Sequence, residues 1–79
     1  MILLGFEHKQ GEFNGNKYDN FNVHVGKPIT NDIGLGYAVK TYKVKTKVLN
    51  DSQIDLTKLL NCDVQLYFNE YQQIIDIVG

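Results

Sequence analysis

The sequence predicts one small, mainly β domain: a barrel of five strands with a short helix between the third and the fourth. Three observations predict it. Hydropathy alternates with a period of two over most of the 79 residues, the rhythm of strands with one buried face. That rhythm breaks over Asn50 to Leu60, where leucines fall at helical spacing. Turn-forming residues separate the alternating runs, most clearly at Asn14-Gly15 and across Gly26 to Gly36. The whole chain, residues 1–79, reads as a single domain.

The first strand is expected over Ile2 to Lys9, with Ile2, Leu4 and Phe6 on one face and Leu3 and Gly5 on the other. Asn14-Gly15 then makes a tight turn, since both residue types tolerate positive φ. The second strand runs from Tyr18 to Val25. Phe21, Val23 and Val25 form its core face, and Tyr18, Asn20, Asn22 and His24 form a polar face. Gly26 to Gly36, with the only proline, is a loop.

The third strand, Gly36 to Leu49, holds Lys40, Lys43, Lys45 and Lys47, half of the chain's eight lysines. Lys43, Lys45 and Lys47 alternate with Val44, Thr46 and Val48, so a cationic row is expected on one face. The alternation slips between Val39 and Tyr42. A bulge near Lys40 or Thr41 would put Val39, Tyr42, Val44 and Val48 on one side.

The helix follows over Asn50 to Leu60, with Asp51 or Ser52 as its cap, Leu56, Leu59 and Leu60 on one face, and Asn61 as its stop. A fourth strand, Cys62 to Phe68, points Val64, Leu66 and Phe68 inward. After a turn at Asn69 to Tyr71, the fifth strand, Gln72 to Val78, carries apolar residues on both faces, which implies burial on both sides.

Three strands, a short helix, then two strands in under ninety residues is the order of an OB-fold barrel. An SH3-like barrel has similarly short strands but lacks a helix at that position. On an OB barrel, ligands lie on the second and third strands, between the loops that join strands one to two and four to five. That scheme gathers Tyr18, Asn20, Asn22 and His24 from the second strand and Lys43, Lys45 and Lys47 from the third, with Lys40 and Tyr37 near its start. The first loop adds Phe13, Asn14, Asn16 and Lys17, and the last turn adds Tyr71. Rings provide stacking platforms for bases, and lysines neutralise phosphates. The plainer reading of a lysine row is a solvated strand face that discourages edge pairing. Tyrosines beside turns also serve as packing lids.

Composition narrows the ligand. Eight lysines, no arginine and nine acids leave a net charge of -1. Any polyanion must therefore be held by local clustering. Without arginine forks, sequence-specific duplex reading is disfavoured, and backbone contact plus stacking is the expected mode. The expected partner is single-stranded DNA or RNA, bound without strong sequence preference. The alternative is a protein-interaction or assembly module with no nucleic-acid ligand.

Catalysis finds no motif. His8, His24 and Cys62 lack metal-ligand spacing. The Gly34-Leu35-Gly36 pair of glycines lacks the spacing of a phosphate loop. Ser52 reads as a cap and Cys62 as a small buried hydrophobe. No cofactor and no metal are expected. A single cysteine fits a reducing, cytoplasmic setting, and no apolar run has the length of a membrane span.

The stretches GNKYDNFNVHVGKPI and GYAVKTYKVKTKV resemble the small single-stranded-DNA-binding proteins of phages and mobile elements, nearest to the filamentous-phage gene V family. The resemblance covers residues 11 to 48. It implies that Lys17 and Tyr18 lie in a DNA-contacting wing and that Lys40 is a DNA-contacting strand lysine. It also implies a homodimer that coats single strands during replication or conjugative transfer.

Overall fold

The computed structural model describes residues 1–79. It contains β1 (Ile2–Phe13), β2 (Asn16–Pro28), β3 (Tyr37–Lys45), α1 (Thr46–Asp51), α2 (Leu56–Leu59), β4 (Gln65–Phe68) and β5 (Ile74–Val78). The fold is mainly β. β1, β2 and β3 form an antiparallel sheet in that order, and β4 and β5 form a separate antiparallel pair. The expected closed barrel is therefore not made. Only one bridge, Ile2 to Asp63, links β1 to the segment entering β4, and β5 packs beside β3 without a ladder.

The first hairpin is longer than the alternation alone implies. Asn14 and Gly15 both have positive φ, 52° and 80°, and form a two-residue turn directly between Phe13 and Asn16. Such a turn matches the natural twist of the flanking strands. Pairing therefore continues past Lys9 to the tip. Residues 8–13 and 16–19 are all exposed, so this end of the hairpin is an arm with little packed against it. It accounts for the elongated shape, 49 × 27 × 26 Å. The radius of gyration, 14.1 Å, exceeds the roughly 12 Å of a compact chain of this length.

Two bulges overturn expected faces. In β1 the register jumps between Leu3, opposite Val25, and Gly5, opposite His24. The extra residue is Leu4. Leu3 consequently enters the core with Phe6 beside it, whereas Leu4 is turned out, its side chain lying over Gly26. In β5 the extra residue is Ile75, between the pairs Tyr67–Asp76 and Phe68–Ile74. Ile74 and Ile77 are buried, but Ile75 and Val78 are exposed. β5 is thus buried on one side only.

The third strand has no bulge. Its register against β2 is continuous from Asn20–Lys45 to Pro28–Tyr37. Val39 stays in phase with Thr41, Lys43 and Lys45 and is exposed, while Lys40 shares the opposite face with Tyr42 and Val44. The strand also ends at Lys45, short of Leu49. Thr46 begins α1 and donates its Oγ1 hydroxyl to Asp19 Oδ1 at 2.7 Å. The helical turn brings Leu49 into the core.

The expected single helix is two short ones. Gln53, with φ of 54°, separates them. Asp55 rather than Asp51 or Ser52 caps the second, its carboxylate accepting from the Thr57 backbone N–H at 3.0 Å. Asn61 stops α2 with φ of 65°, as expected of an asparagine in the left-handed region.

Nine apolar residues make the core: Leu3, Val23, Val25, Val44, Leu49, Leu56, Val64, Ile74 and Ile77. Burial of each such side chain contributes about 1.5–3 kcal/mol, so the core of this small domain tolerates few truncations. Cys62, expected inside, is exposed. No helix is long and apolar enough to cross a membrane.

Candidate nucleic-acid interface

The outer face of the three-stranded sheet carries the polar residues that alternation assigned to it. Asn22 lies opposite Lys43, Asn20 opposite Lys45 and His24 opposite Thr41. Tyr18 follows on the arm, opposite Gly11. A Cβ at Gly11 would collide with the Tyr18 ring, so the ring lies across the glycine. One ring face rests on β1 and the other is left to solvent.

The residues converge where β3 leaves the sheet. Beyond Asn20, β2 loses its β3 partner, because the chain turns into α1 at Thr46. The notch between the freed edge of β2 and α1 is a cleft of about 570 Å³. Lys17, Tyr18, Asn20, Lys45 and Lys47 line it, with Asp19, Thr46 and Asn50. Five residues expected from the sequence are thus brought together, although Lys47 arrives from the helix and not from a strand row. A second cleft of about 410 Å³ shares Asn20 and Lys45 and adds Lys43, Gln72 and Gln73 on one side and the apolar Tyr42, Val48, Ile74 and Ile75 on the other.

The lysines of these clefts are free of acidic partners. Lys9, paired with Glu7 at 3.3 Å, is the one lysine in an ion pair. Asp19 lines the first cleft, but its carboxylate is already engaged. It accepts from Thr46 and Gln10 and bonds His8. The Thr46 hydroxyl, then His8, holds the Asp19 pKa below the ordinary aspartate value. Glu7, likewise, is held low chiefly by its hydrogen bond to Lys9, with His24 contributing. Lys17, Lys45 and Lys47 touch no carboxylate, and three lysines against the one ionised Asp19 leave the cleft net positive.

Other expected site residues lie elsewhere. Lys40 is on the core-side face, with its ammonium 5.3 Å from the Tyr42 ring centre. Tyr37 sits opposite Pro28 at the far end of β3, about 26 Å along the strand from Lys45. His24 stays on the outer face but is occupied, bonding Thr41 Oγ1 at 2.7 Å and Glu7 Oε1 at 3.4 Å. Tyr71 is 75% exposed in the β4–β5 turn, next to Gln72 and Gln73 but outside the cleft walls. Phe13 is 72% exposed at the tip of the arm.

Thr46, Asn50, Gln72 and Gln73 are cleft residues that the alternation did not mark. The glutamine pair following Tyr71 was the available cue, since a turn that packs against a sheet edge brings its next residues to that edge. His8, Cys62 and the carboxylates form no group able to hold a metal.

Comparison of the chain with family models, with curated proteins and with solved structures finds no match.

Proposed function

We propose that this protein is a non-enzymatic module of OB-fold type that binds single-stranded nucleic acid, DNA in the first instance, without strong sequence preference. The observation that carries the reading is the cleft lined by Lys17, Tyr18, Asn20, Lys45 and Lys47, whose lysines have no acidic partner. Lysines beside an exposed ring and amide side chains offer phosphate neutralisation, stacking and hydrogen bonding in one groove. The arrangement of elements supports the OB type. The helical segment joins β3 to β4, the entry to β4 touches β1, and β5 lies beside β3, the layout of a partly open five-stranded barrel. The resemblance over residues 11 to 48 points the same way and would place the protein in single-strand coating during phage or mobile-element replication.

Fluorescence anisotropy with a labelled oligothymidine over a salt series tests the proposal. With three or four lysines on phosphates, log affinity falls against log salt with a slope of about 2–3 per subunit. Absence of binding at low salt, or a flat response, refutes it.

A second reading, a protein-interaction module, is favoured by one specific observation. Ile33 and Leu35 are 98% and 95% exposed in the loop between β2 and β3. An apolar loop of that kind marks a contact surface in many small domains. Capture of a protein partner that survives nuclease treatment and reversal of the cleft lysines would favour it.

A further inference from the structure

We infer that the free edge of β1 pairs with the same edge of a second copy, in antiparallel register with His8 opposite His8. This goes beyond an expected homodimer by naming the edge and the register, and it is independent of the nucleic-acid reading.

β1 is the outer strand of its sheet. Beyond Leu3, which is bonded to Asn61 and Cys62, it has no partner on that side. The two-residue turn at Asn14-Gly15 makes Phe13 and Asn16 a hydrogen-bonded pair. Gly11, Lys9 and Glu7 then also bond to β2. The N–H and C=O groups of Phe6, His8, Gln10 and Glu12 face outward, unpaired. An isolated two-stranded arm is marginal in water, and a row of unsatisfied groups along it is a template for another strand.

Charge selects the register. A two-fold antiparallel pairing must put outward-facing residues opposite one another, so its centre falls at or between them. Centring on Glu7 or on Lys9 sets like charges face to face. Centring on His8 sets Glu7 opposite Lys9 of the second copy, and Lys9 opposite its Glu7. Both pairs occupy the closely spaced, non-hydrogen-bonded positions, where cross-strand charges interact most. Phe6 then exchanges backbone bonds with Gln10 of the second copy.

The pairing ends at Glu12, which comes opposite Leu4 of the other chain, because residues 61–63 already hold the edge at Ile2 and Leu3. The product is one continuous six-stranded sheet with a cationic cleft toward each outer edge.

Sedimentation equilibrium under reducing conditions tests the inference. The wild-type chain is expected to be a dimer. Glu7→Lys and Lys9→Glu, each alone, weaken it by at least about tenfold, because both pairs become repulsive. An equimolar mixture of the two variants regains the dimer, since every cross-strand pair is again of opposite charge. Native mass spectrometry shows one chain of each kind. Gln10→Pro removes an outward donor while sparing the ladder to β2, and gives the same loss without changing charge. Circular dichroism confirms that each variant is folded. A monomeric wild type, a dimer indifferent to these changes, or a mixture that stays monomeric overturns the inference.

Discussion

The outer face of the sheet is two surfaces laid end to end. Toward the arm it carries Tyr18, Asn20, Asn22, Lys43 and Lys45 and opens into the cleft beside α1. Toward the other end it carries Leu4, Gly26, Val39 and Tyr37 and runs into the loop that holds Ile33 and Leu35. One strand pairing and one alternation produce both. Period two assigns a face, whereas the residue types along the strand decide what that face can bind. The cationic end is suited to a solvated polyanion, the apolar end to a surface that excludes water.

Reversing charges at the two ends and on the two faces separates their roles. The triple change Lys17→Glu, Lys45→Glu and Lys47→Glu is expected to abolish oligonucleotide binding, a loss of about a hundredfold or more. Lys45→Glu alone costs about tenfold. Lys40→Glu, on the core-side face beside Tyr42, costs about twofold or less, as does replacing both Ile33 and Leu35 by serine. Anisotropy at one fixed salt concentration gives the order. Equal losses at Lys40 and Lys45 would break the distinction between faces. A large loss from the loop change would move the site to the apolar end.

A smaller effect concerns the hinge between the arm and the cleft. Asp19 joins β1 through His8 and Gln10, and α1 through Thr46. Its depressed pKa means that the folded state favours the ionised carboxylate more than the unfolded state does. The resulting stability is present above the ordinary aspartate value of 3.8. It is lost as pH falls through the lower folded value. Asp19→Asn is therefore expected to melt below the wild type at pH 7, with the gap closing below about pH 4. Melting followed by circular dichroism across pH 2 to 7 checks this, and a gap independent of pH would contradict it.

Much of this architecture was legible in the sequence, and the exceptions share a cause. β2 was clear because Phe21, Val23 and Val25 alternate without interruption against Asn20, Asn22 and His24. The Asn14-Gly15 turn was clear because few residues accept its backbone angles. The faces of β1 and β5 were not, because each contains an apolar doublet, Leu3-Leu4 and Ile74-Ile75. Either member of a doublet can face the core, and a bulge decided which. In β3 the reverse occurred. An apolar residue out of phase, Val39, invited a bulge that is absent, because the residue simply faces outward. The end of β3 was hidden because the alternation runs on through Thr46, Lys47 and Val48 while the backbone has already turned into α1 to bury Leu49. That turn matters most for function, since it opens the cleft and carries Lys47 into it.

An amide chemical-shift titration with a short oligothymidine locates the binding surface residue by residue. If the cleft beside α1 is that surface, shifts concentrate on Lys17 to Asn20 and on Lys45 to Asn50, with smaller changes at Lys43, Gln72 and Gln73 and none at Ile33 to Val39. Shifts centred on the β2–β3 loop, or no shifts at low salt, would contradict it.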